Sequence, residues 1–102
     1  MRYKIVALFS KTGEMKFVSH LDLMRMFARA VRRADLPVML TQGFNPHPKI
    51  SISKALKLGV ESQGEEVIFH LNSSVDPVEF AGRMNNSLPE GVEIRESKIE
   101  AC

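Results

Sequence analysis

The chain has 102 residues, 44% hydrophobic and 25% charged, with a formal net charge of +2 and one cysteine. That is enough for one domain with a modest core, and the composition is that of an ordinary soluble protein. No apolar run approaches the roughly 20 residues that span a bilayer. The N-terminus lacks a signal-peptide pattern, and a lone cysteine excludes a disulfide framework and a cysteine-held zinc or iron–sulfur centre. The expected setting is cytoplasmic, with no membrane partner and no cofactor in this chain.

Tyr3–Phe9 is short and apolar between polar neighbours, which predicts a largely buried first strand. Ser10–Glu14 contains Gly13 and reads as a turn. Ser19 then suits a helix N-cap, with Asp22 at N3 in a variant of the capping box. Leu21, Met24, Phe27, Ala28 and Val31 follow at helical spacing and predict one core-facing stripe. Leu36-Pro37 ends the helix, because a residue before proline is driven towards extended geometry. Val38–Thr41 is a candidate short strand.

A hairpin is expected next, from Ile50–Val60 and Glu65–Leu71 joined by the turn-like Glu61-Ser62-Gln63-Gly64. Ile50, Ile52, Leu56 and Leu58 would face one way, and Val67, Phe69 and Leu71 alternate. Asp76-Pro77-Val78-Glu79 has the N-cap, N1 proline and N3 acid of a second helix start. Phe80, Ala81, Met84 and Leu88 make its inner face, Pro89-Glu90-Gly91 stops it, and Val92–Ile99 is the last strand. The order β-α-β-β-α-β predicts an α+β, ferredoxin-like fold: an antiparallel sheet with two helices on one face, the second strand short or irregular. The rival is an α+β domain whose segment 38–49 is all loop.

Charge is unevenly spread. Residues 1–57 carry eleven Lys/Arg against three acids, a balance of +8, and residues 58–102 carry three against nine, a balance of −6. This polarity suits an anionic partner, nucleic acid being the commonest, or else a two-toned solvated surface. Arg25, Arg29, Arg32 and Arg33 fall along one side of the first helix, directed away from its apolar stripe. Guanidiniums there suit phosphates, since each is a planar fork of donors that keeps its charge. The bland reading is a solubilising face that complements the helix dipole.

The loop Gln42–Lys49 holds His47 between two prolines. Each proline fixes φ, removes an N–H and restrains the residue before it, so Asn45 and His47 have little freedom. Gly43 supplies a backbone angle or a close approach. Phe44 either stacks on a base or anchors the loop in the core, the anchor being preferred. Lys49 is a further cation for phosphate. His47 is a candidate general acid–base or metal ligand. Its one plausible companion is His20, and two histidines without carboxylates make a poor metal site. His70 should be exposed, opposite the Phe69/Leu71 face, and Lys54 and Lys57 add to the basic surface or guard a strand edge.

The segments F-V-S-H-L-D-L-M-R (17–25), R-A-x-R-R-A-x-L-P (29–37) and Q-G-F-N-P-H-P-K-I-S (42–51) resemble the radical-SAM-linked domain of unknown function DUF2344. F-S-K-T-G (9–13) and L-G-V-E-S (58–62) match as well, and the combination covers essentially the whole chain. The resemblance implies an accessory domain fused to, or encoded beside, a radical-SAM protein. Family domains run about twice this length, so residues 1–102 are expected to be one N-terminal half-domain, with part of a cleft beyond Cys102. The chain lacks the radical-SAM cysteine triad, as an auxiliary role requires.

Three functions follow as expectations. The first is a module that recognises an anionic partner, most of all RNA, for that radical-SAM protein. Arg25, Arg29, Arg32, Arg33 and Lys49 would grip phosphates, with Gly43, Phe44, Asn45 and His47 in the recognition loop. The second is a protein–protein docking domain for the same partner. The third is a histidine-dependent ribonuclease using His20 and His47, ranked last because no general acid–base pair is evident. Exposed sheet edges would permit self-pairing, which no motif specifies.

Overall fold

A computed structural model describes residues 2–53, 59 and 61–101. The elements run β1 (Tyr3–Lys11), a 3-10 turn (Gly13–Phe17), α1 (His20–Arg33), β2 (Ile50–Ile52), β3 (Ser62–Leu71), α2 (Pro77–Ser87) and β4 (Val92–Ala101). The four strands form one antiparallel sheet in the order β2-β3-β1-β4. This is the ferredoxin-like arrangement, with both helices contributing to a core on one face of the sheet.

Strand alternation builds that core. Ile5, Ala7 and Phe9 of β1, Val67, Phe69 and Leu71 of β3, and Val92 and Ile94 of β4 are buried. Above them lie Leu23, Phe27, Ala30 and Val31 of α1 and Phe80 and Met84 of α2. Phe9, Phe27, Phe69 and Phe80 run edge to face through the centre, with centroids 5.1, 5.8 and 4.9 Å apart in that order.

Local chemistry sets the helix ends. Ser19 Oγ accepts the Asp22 N–H at 3.1 Å, and Asp76 accepts the Glu79 N–H at 3.1 Å. At the end of α1 the Asp35 N–H bonds the Arg32 carbonyl and the Leu36 N–H bonds that of Val31. This is a Schellman closure with Asp35 at φ 53° where glycine is usual. Arg83 of α2 donates to the Ala34 and Asp35 carbonyls and so fastens the helices together. Asn85 clamps both backbone groups of Ile94 at 3.0 and 2.7 Å, tying α2 to β4.

Several expectations need correction. Val38–Thr41 forms no strand; Val38 bridges to Leu71 and Leu40 to Pro48 as isolated pairs, so segment 38–49 is neither strand nor free loop. Ser62, Gln63 and Gly64 belong to β3 rather than to a turn, because β1 runs on to Lys11 and offers it a partner opposite Ser62. The expected turn after Phe9 is strand to Lys11, which is buried, and then the 3-10 turn. Lys54, Leu56, Lys57, Leu58 and Val60, expected in the hairpin, and Cys102 lie outside the described residues. On α1 the core stripe is rotated. Leu21 is 58% exposed and Met24 and Ala28 are only half-buried, while Leu23 and Ala30 take the core positions.

Candidate ligand-binding groove

That rotation defines the site. At about 100° per residue, Leu21, Met24, Arg25, Ala28 and Arg32 share one side of α1, opposite Leu23, Phe27 and Ala30. Arg29 flanks this side, whereas Arg33 is turned further round the helix. The result is a groove of about 540 Å³ between α1 and the loop that precedes β2. Arg25, Arg29 and Arg32 line it from the helix and His47 from the loop, over a floor of Leu21, Met24, Ala28, Pro48 and Ile50.

The loop wall is held by its own backbone. The Thr41 N–H bonds the His47 carbonyl at 2.8 Å, and the His47 N–H returns to Thr41 Oγ1 at 3.2 Å. The Lys49 N–H bonds the Met39 carbonyl at 2.7 Å, and the His70 N–H bonds the Lys49 carbonyl at 3.1 Å, which pins the stem to the end of β3. Pro48 and Ile50 are buried beneath, and residues 42–47 are exposed. Gly43 has φ 126° with open space where a Cβ would stand, so glycine is needed there for the backbone angle and not for a close approach.

Phe44 is fully exposed at the loop tip, which overturns the preferred core-anchor reading. Its neighbours Gly43 and Asn45 are exposed too, so the tip stands clear of the core that the stem closes. His47 Nδ1 lies 3.1 Å from the Asn45 carbonyl oxygen and 3.3 Å from Thr41 Oγ1. A carbonyl only accepts, so in the contact with Asn45 Nδ1 is the donor.

The other expected site residues are dispersed. Arg33, Lys49 and His20 are exposed but do not line the groove. The groove therefore holds His47 without its expected companion. Arg25 pairs with Asp22 at 3.5 Å, an exposed contact worth little, and among the described residues Arg29 and Arg32 form no ion pair. No group of three or more His, Cys, Asp or Glu among the described residues could hold a metal ion. No described helix is long and apolar enough to cross a membrane.

His70 is half-buried on the opposite face of the sheet, not simply exposed. Burial lowers its pKa from the ordinary 6.5, and the ammonium groups of Lys49 and Lys4 lower it further. A separate cleft of about 380 Å³ lies beside Ser10, Asn85 and Glu90, where Glu93 and Arg95 pair at 2.9 Å and offset each other.

Residues 4–100 match the model of a family described as an uncharacterized protein conserved in bacteria, DUF2344. The chain belongs to this family. A search of curated proteins finds no match for it. In this DUF2344 chain two of the segments that carry the resemblance meet in space. The Gly13 N–H of F-S-K-T-G donates to the Glu61 carboxylate of L-G-V-E-S at 2.7 Å, and Lys11 pairs across from Ser62. Sequence reasoning missed the groove floor. Its signal was the interleaving of Leu21, Met24 and Ala28 with Arg25, Arg29 and Arg32 on one helical face.

Proposed function

We propose that this domain is an accessory module that binds single-stranded RNA in the α1–loop groove and presents it to a radical-SAM protein. The observation that carries the reading is the convergence of Arg25, Arg29, Arg32 and His47 around an apolar floor. Phosphates need fixed donors, and base faces need apolar or aromatic surface; the two stand side by side here. Helical rise spaces Arg25 and Arg29 by about 6 Å along the axis, a step comparable to that between successive phosphates of an extended strand. Phe44, fully exposed on the same loop as His47, adds a free aromatic face. The radical-SAM connection rests on the family resemblance alone.

The test is a titration of a labelled single-stranded RNA over a salt series, with wild type and the Arg29→Ala/Arg32→Ala double variant. Wild-type affinity should fall steeply with salt, and the variant should flatten the slope by about 0.7 per lost phosphate contact. Salt-insensitive binding, or no effect of the double variant, rejects the reading. Capture of the radical-SAM protein with no affinity for RNA makes the groove a protein-docking site instead.

A further inference from the structure

We propose that the groove distinguishes ribose from deoxyribose, with His47 Nε2 accepting a hydrogen bond from a 2′-hydroxyl. This rests on the RNA reading and names the feature of RNA that the site selects.

The argument begins with the restraint on residue 47. Pro46 and Pro48 flank it, and Thr41 holds both its N–H and its carbonyl, so the backbone cannot reorient without breaking the loop closure. The ring is then fixed by Nδ1, which donates to the Asn45 carbonyl at 3.1 Å and lies beside Thr41 Oγ1 at 3.3 Å. An imidazole that donates through Nδ1 and carries no second proton presents Nε2 as a bare acceptor. Among the described residues it has no partner.

The chemistry of the rest of the groove gives that lone pair its meaning. Among the described residues the other polar side chains lining it are Arg25, Arg29 and Arg32, which only donate. A ligand recognised through phosphates alone would require donors throughout. One fixed acceptor among them calls for a ligand that carries a donor close to its phosphates. In a nucleic-acid strand the 2′-hydroxyl meets that description, being attached to the sugar that joins successive phosphates. DNA has no such group, and the 2′-hydroxyl is the general means by which a protein tells the two apart.

The experiment compares three single-stranded oligomers of one sequence: RNA, deoxyuridine DNA and 2′-O-methyl RNA. Each is titrated against wild type, His47→Ala and His47→Gln at fixed salt and pH 8. Wild type should prefer RNA by about tenfold, the scale of one hydrogen bond, and should treat 2′-O-methyl RNA like DNA because it lacks the donor. His47→Ala should lose more affinity for RNA than for DNA, so that the preference collapses. His47→Gln, which keeps an acceptor oxygen, should retain part of the preference. Equal wild-type affinity for RNA and DNA overturns the inference while leaving the RNA reading intact, as does an equal loss for both oligomers in His47→Ala. Failure of wild type to bind any of the three overturns both. Should either variant lose the loop closure, the three wild-type affinities still decide.

Discussion

The groove and the open face of the sheet are both exposed, both charged and both floored by apolar side chains, yet their charges are arranged differently. On the open face the outward residues are Lys4, Val6 and Leu8 of β1, Glu66, Ile68 and His70 of β3, and Glu96, Lys98 and Glu100 of β4. Cross-strand neighbours alternate in sign or separate charge by an apolar residue: Lys4 lies opposite Glu100, and Leu8 lies between Glu66 and Glu96. In the groove three arginines stand together, and among the described residues Asp22 is the one carboxylate paired to any of them. Where four-stranded sheets of this plan bind RNA, aromatic residues on the open face stack the bases. Here that face carries no Phe, Tyr or Trp among its described residues and has three glutamates. Arg25, Arg29 and Arg32 and the exposed ring of Phe44 lie instead on the helix–loop side. Net charge does not make a binding surface; charge that its neighbours leave uncompensated does.

The largest expected effect tests how firmly the groove depends on the core beneath it. Phe27 touches both Phe9 and Phe69 and holds α1 to the sheet, so Phe27→Ala should cost about 3–5 kcal/mol in chemical denaturation. That is a large part of the stability of any small domain. Val6→Ala on the open face removes a half-buried side chain and should cost about 1 kcal/mol, leaving RNA affinity unchanged. A loss at Val6 as large as that at Phe27 would mean that the open face is packed against something in solution, and the contrast between the two surfaces would fail.

A smaller effect isolates the loop tip. Phe44 has no packing to lose, so Phe44→Ala should leave the melting temperature unaltered. RNA affinity should fall by about 1–3 kcal/mol, the range for one stacked base, while Phe44→Tyr should bind as wild type does. Unchanged affinity in Phe44→Ala would confine recognition to the arginine wall.

What the sequence makes legible divides along the same line. Ser19 with Asp22, and Asp76 with Pro77 and Glu79, announce helix starts because capping is decided within four residues. Alternation in Tyr3–Phe9 and Val67–Leu71 likewise follows from neighbours alone, and with the helix starts it reveals the ferredoxin-like order. Errors arise where a partner distant in sequence decides. Ser62–Gly64 is polar and turn-like, but β1 supplies an edge for it to pair with. Val38 and Leu40 have strand-like composition, yet each finds one bridge and no ladder. The rotated stripe on α1 has the same cause. Leu21, Met24 and Ala28 suit a core as well as Leu23 and Ala30 do, and the position of the sheet, not helical periodicity, decides which set is covered. The grouping of Arg25, Arg29 and Arg32 was readable from spacing; their convergence on His47 needed the loop stem to be pinned to β3.

The smallest effect concerns His70 and gives the open face its own signature. Burial, with help from Lys49 and Lys4, lowers its pKa below 6.5, so the folded chain keeps the ring neutral where the unfolded chain takes up a proton. The unfolded state then binds more protons, and stability falls as pH falls. This contribution is intact above the ordinary imidazole range. It declines from about 6.5 downward and is fully lost once pH passes below the lowered folded value. Carboxylates titrate at the lower end of that window, so the readout is the difference between wild type and His70→Gln in denaturation at pH 8 and pH 5.5. Wild type should lose more stability than the variant over that interval. Lys49→Ala should lie between them, because burial, the larger cause, remains. Parallel curves for all three proteins would show that the Lys4–Lys49–His70 cluster is relieved by solvent and leaves no mark on stability.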